Sequence, residues 1–103
     1  MDRIGRIREM ERCLDESRAA ADSLSEALDR YEAVRKDYKK LCDYFGGPRW
    51  MADFEADEAG KLPADLKRGV LSEDAVYDLL TDHRELVVRM LRIVTKDLEN
   101  DTL

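Results

Sequence analysis

The sequence predicts an all-α fold: a long antiparallel helical hairpin, about 2–44 and 72–99, with a short helical, aromatic connector. Three observations point that way. Apolar residues recur at steps of three and four through both ends of the chain, the spacing of a helix stripe or coiled-coil seam. Charged residues make up 41% of the 103, beside 44% hydrophobic and 7% aromatic. That balance suits long helices with solvated faces, and it carries too much apolar material for a disordered tail. Both prolines and four of the five glycines fall between residues 46 and 71, so the helix breakers are gathered in one place. The length is that of one domain, 1–103, with a long helix over 1–45, a folded connector over 46–71, a second helix over 72–99 and a frayed tail over 100–103.

The first helix carries its stripe on Ile7, Met10, Leu14, Ser17, Ala21, Leu24, Leu28, Tyr31, Val34, Tyr38, Leu41 and Phe45, with no proline until Gly46-Gly47-Pro48 stops it. In the connector, Pro48 suits a first helical position and starts a short helix that ends by Gly60. Pro63 to Lys67 reads as a further turn, and Gly69 is free to take positive φ. Trp50, Phe54, Leu66, Val70 and Leu71 need cover, which makes this a folded connector rather than a flexible linker. The second helix opens on Ser72 as its cap, with Glu73 and Asp74 beside the positive end of the dipole. Leu71 and Val76 are spaced as a hydrophobic staple. Its stripe runs through Val76, Leu79, Leu80, His83, Val87, Met90, Leu91, Val94 and Leu98.

Charge placement predicts how the long helices pair. Like charges four apart, as in Arg8/Arg12, Asp22/Glu26, Arg35/Lys39 and Lys36/Lys40, each disfavour an isolated helix by about 0.2–0.5 kcal/mol. A partner helix offsets them. Folding back at the connector brings Arg35, Lys36, Lys39 and Lys40 towards Asp78 and Asp82, and Asp22, Glu26 and Asp29 towards Arg89, Arg92 and Lys96. Exchange between two chains satisfies the same pattern. The first helix is longer by about fifteen residues, some 20 Å at the standard rise, and Ile4, Ile7, Met10 and Leu14 lie on that overhang. A two-fold homodimer, bundling two hairpins, is the expected remedy.

The run Trp50-x-x-Asp53-Phe54-Glu55-Ala56-Asp57-Glu58-Ala59-Gly60, then Leu62-Pro63 and Gly69-Val70-Leu71-Ser72-Glu73-Asp74, resembles a small bacterial family, domain of unknown function 4298. Arg3-Ile4-x-x-Ile7, Tyr44-Phe45 and Tyr77-x-Leu79-Leu80 resemble it too, so the likeness covers nearly the whole chain. It implies a bacterial origin and a small stand-alone helical protein, and it brings no activity, substrate or catalytic residue with it.

Many chemistries have no motif here: the chain has no Gly-rich phosphate loop, HExxH, CxxC or GxSxG. Catalytic residues therefore stay unassigned. His83, the one histidine, sits on the apolar stripe and reads as a boundary or core residue. Cys13 and Cys42 are 29 positions apart on one helix, ~43 Å, and cannot bridge within it. Free thiols, a charged start without an apolar leader and no long apolar run suggest a cytoplasmic protein with no membrane association.

The acidic connector is the candidate metal site. Asp53 and Asp57 share a helix face, Glu58 and Asp65 lie close in sequence, and such hard oxygen ligands suit Mg²⁺ or Ca²⁺. The competing reading is a solvated helix face. Trp50, Phe54, Tyr44 and Tyr77, with Phe45, form either an interaction surface with a ligand pocket or a small core that pins the connector. Arg3, Arg6, Arg8 and Arg12 give a basic start interrupted by Glu9 and Glu11, and a net charge of −6 argues against nucleic acid. The leading functional expectation is a non-enzymatic protein-interaction or scaffold module with an unknown protein partner. The alternatives are a small metal-dependent enzyme using the acidic connector, and nucleic-acid binding through the Arg-rich start.

Overall fold

The computed structural model describes residues 2–100. It is all-α, as expected: α1 (Arg3–Tyr44), α2 (Pro48–Glu58), a 3₁₀ turn (Gly69–Leu71) and α3 (Glu73–Glu99), with no strand among the described residues. Asn100 caps α3, and the rest of the expected tail, 101–103, lies outside the described residues. The chain divides into two units, one ending at Asp43 and the other beginning at Tyr44.

The first unit is the body of α1. Its 42 residues include none that is buried. Asp2 starts the helix: its Oδ1 accepts from the Gly5 amide at 2.7 Å, and its carbonyl accepts from the Arg6 amide at 2.9 Å. Ile4, Ile7, Met10, Leu14 and Leu24 each stand more than half exposed, and Leu28 and Val34 are exposed as well. Glu9 and Arg12 pair at 2.6 Å across an i,i+3 spacing.

The second unit holds the connector and α3. Gly46 takes a φ of 77°, the left-handed turn that ends α1, and the Gly47 amide returns to the Tyr44 carbonyl at 3.0 Å. Pro48 then opens α2. At its other end Gly60, φ 70°, donates to the Asp57 carbonyl while Lys61 donates to that of Ala56, both at 3.0 Å. This is a Schellman closure, and Gly60 supplies the left-handed residue it needs. The Leu66 amide reaches the Pro63 carbonyl at 3.2 Å, forming the expected turn.

Two expectations are corrected here. Gly69 does not take positive φ but begins the 3₁₀ turn, with Leu71 and Ser72 donating to the Arg68 and Gly69 carbonyls. Leu66 and Val70 stay exposed, at 48% and 37%, while Trp50 and Leu71 go inside. Ser72 caps α3 as expected, its Oγ accepting from the Ala75 amide at 3.4 Å, and both ends of the staple, Leu71 and Val76, are buried.

Candidate functional site

The connector concentrates what side-chain organisation the second unit has. Trp50 and Phe54 lie four positions apart on α2, so the helix places them on one face. Their rings stack at 5.2 Å and 20°, and Phe45 meets Trp50 edge-on at 5.2 Å and 73°. Trp50 is only 4% exposed, and its Nε1–H donates to the Val70 carbonyl at 3.0 Å. With Leu71 and Val76 it makes up the buried apolar core among the described residues. Trp50 is thus an anchor inside the connector. Phe54 and Tyr44 are half-buried, and Tyr77 is 64% exposed.

Polar contacts surround this core. The Tyr44 hydroxyl donates to Asp53 Oδ2 at 2.6 Å. That bond to a carboxylate, helped by burial, pushes the phenol above its usual range. Arg68 pairs with Asp57 at 2.6 Å and ties the approach to the 3₁₀ turn back onto α2. Asp53 and Asp57 therefore each have a partner, while Glu58 and Asp65 are exposed. Asp53, Asp57, Glu58 and Asp65 are not gathered around one point: among the described residues, no three His, Cys, Asp or Glu side chains are placed to hold a metal ion. Neither the Tyr44–Asp53 nor the Asp57–Arg68 pair was foreseen from sequence. Their separations of nine and eleven residues follow no helical period, and only the turns between them bring the groups together.

Beside Trp50 the same unit opens a cleft of about 290 Å³, lined by Phe45, Gly46, Trp50, Glu73, Asp74 and Tyr77. Elsewhere, His83 is half-buried on α3, in keeping with a boundary residue. Cys13 and Cys42 are free and half-buried. Cys13 lies beside the Glu9–Arg12 pair, 3.8 Å from Arg12 Nη2, and that carboxylate's contact with Arg12 holds Glu9 below the usual carboxylate range. Arg3, Arg6 and Arg8 are exposed along the start of α1. No helix among the described residues is long and apolar enough to cross a membrane.

A family model described as Domain of unknown function (DUF4298) matches residues 7–93. No curated protein and no solved structure matches the chain.

Proposed function

The chain belongs to the DUF4298 family, and we propose that it acts as a non-enzymatic protein-interaction or scaffold module whose first partner is a second copy of itself. The observation that carries this reading is the apolar stripe at the start of α1, where Ile4, Ile7, Met10 and Leu14 are all more than half exposed. A water-exposed strip of this kind is a cost that association removes, at roughly 25 cal/mol per Å² of apolar area covered.

Charge and length support one occupant. The α1 blocks Asp22/Glu26/Asp29 and Arg35/Lys36/Lys39/Lys40 are matched in reverse order by Asp78/Asp82 and Arg89/Arg92/Lys96 of α3. Antiparallel pairing of α1 with α3 satisfies those blocks, within a chain or by exchange. In such a pairing the 42 residues of α1 against the 27 of α3 would leave 15 without a counterpart. Ile4, Ile7, Met10 and Leu14 fall there, so a second copy is the occupant that covers them. Free thiols on Cys13 and Cys42 fit a reducing bacterial cytoplasm. Support for a non-enzymatic role comes from the connector, where Asp53 and Asp57 are engaged by Tyr44 and Arg68.

Thermal melting tests the pairing through mass action. A dimer melts higher at higher protein concentration, because association stabilises only the folded chain. The wild type is expected to gain several degrees over a hundredfold concentration range. The double substitution Ile7→Asp/Leu14→Asp is expected to remove that dependence while Trp50 fluorescence still reports a folded connector. A melting temperature independent of concentration in both proteins would overturn the reading.

A further inference from the structure

We propose that the cleft beside Trp50 is a binding site for an alkylammonium cation. Three aromatic residues, Phe45, Trp50 and Tyr77, are among its lining, and its other side chains are the two carboxylates Glu73 and Asp74. No basic residue lines it. At about 290 Å³ it falls just below the usual span of ligand pockets, roughly 300–1,000 Å³, which suits a small ligand.

The chemistry of that lining selects the ligand. Aromatic faces are electron-rich and attract cations, most of all when the charge is spread over alkyl groups that also gain from apolar contact. Carboxylates add Coulombic attraction, and they exclude phosphates and carboxylic acids. Glu73 and Asp74 also have a local role, since they occupy the first turn of α3 and complement the positive end of its dipole. Magnitude decides between the two roles. A helix N-terminus carries roughly half a positive charge, so two full negative charges leave the cleft mouth net negative. Among the described residues neither carboxylate forms an ion pair, in contrast to Asp57, whose charge Arg68 neutralises. The Trp50 faces are largely taken by Phe54 and its other core neighbours, so Tyr77, 64% exposed, is the ring best placed to cover a cation.

The cleft lies within the second unit, so this site does not depend on the pairing of α1. The source of the cation is either a free small molecule or a methylated lysine side chain, and two probes separate them. Trp50 fluorescence of the full chain is titrated with choline, with its neutral carbon isostere dimethylbutanol, and with a short peptide bearing one trimethyllysine. Saturable quenching by choline, at least fivefold tighter than by the isostere, is expected from a cation–π and Coulombic site. Tighter binding of the peptide than of choline identifies a side-chain ligand, and equal or weaker binding a free one. Tyr77→Leu is expected to weaken choline roughly two- to fivefold. The charge-neutral pair Glu73→Gln/Asp74→Asn is expected to weaken it about fivefold and to remove its salt dependence. Circular dichroism of both variants confirms the fold, since Ser72 still caps α3. Equal response to the isostere, absence of saturation, or unchanged affinity in both folded variants would overturn the proposal.

Discussion

Trp50 makes two separable contributions to the connector, and substitutions tell them apart. Trp50→Phe keeps a ring against Phe54 but removes the Nε1–H that serves the Val70 carbonyl. Loss of that partner is expected to cost about 1–3 kcal/mol in urea denaturation followed by circular dichroism. Trp50→Ala also empties the site and is expected to cost about 3–5 kcal/mol. Tyr44 gives a pH signature. Its phenol is raised by the bond to Asp53, so the folded state favours the protonated form. The stability from this bond is complete below the ordinary tyrosine value of ~10 and is lost as pH rises through the higher folded value. Ultraviolet titration of Asp53→Ala is expected to show one tyrosine returning to the ordinary range; an unchanged titration would refute the assignment. Aromatic packing at this scale was legible in the sequence because Trp50 and Phe54 need cover and sit four apart. The hydrogen bonds were not, since Tyr44, Asp53, Asp57 and Arg68 are all residues that solvent satisfies equally well until a turn brings them together.

Helix boundaries follow from a few local rules, and glycine substitutions test them. Gly60 holds a φ of 70° with open space around its Cβ position, so Gly60→Ala meets conformational strain and no clash. The expected cost is about 1–2 kcal/mol in a denaturant melt. Gly69 also has open space but no left-handed backbone. Gly69→Ala is therefore expected to be neutral or to stabilise by a few tenths to about 1 kcal/mol, through reduced freedom of the unfolded chain. Equal effects at the two sites would contradict the Schellman closure. Ser72→Ala is expected to fall at the low end of the usual ~0.5–2 kcal/mol for a cap, because its bond to Ala75 is long at 3.4 Å. Starts and stops were readable because Pro48, Gly46, Gly60 and Ser72 act within one turn of themselves. Gly69 was misread for the same reason: glycine permits positive φ without requiring it, and the 3₁₀ bonds to Arg68 and Gly69 settle the matter.

Across the whole molecule, apolar periodicity identified both long helices but left open what their stripes meet. That choice depends on groups far apart in sequence or on another chain, and periodicity reports only which face is apolar. The acidic run shows the same limit. Asp53 and Asp57 share a face by spacing, yet each is engaged by a different partner, so Mg²⁺ or Ca²⁺ is expected to leave the Trp50 fluorescence and the melting temperature unchanged at millimolar concentration. The pairing of copies through the start of α1 is tested most directly by sedimentation equilibrium of the full chain and of Ile7→Asp/Leu14→Asp. At about 50 µM, self-association predicts a wild-type mass of twice the 11.9 kDa of one chain and a variant mass of one. A wild-type mass of a single chain at that concentration would contradict it.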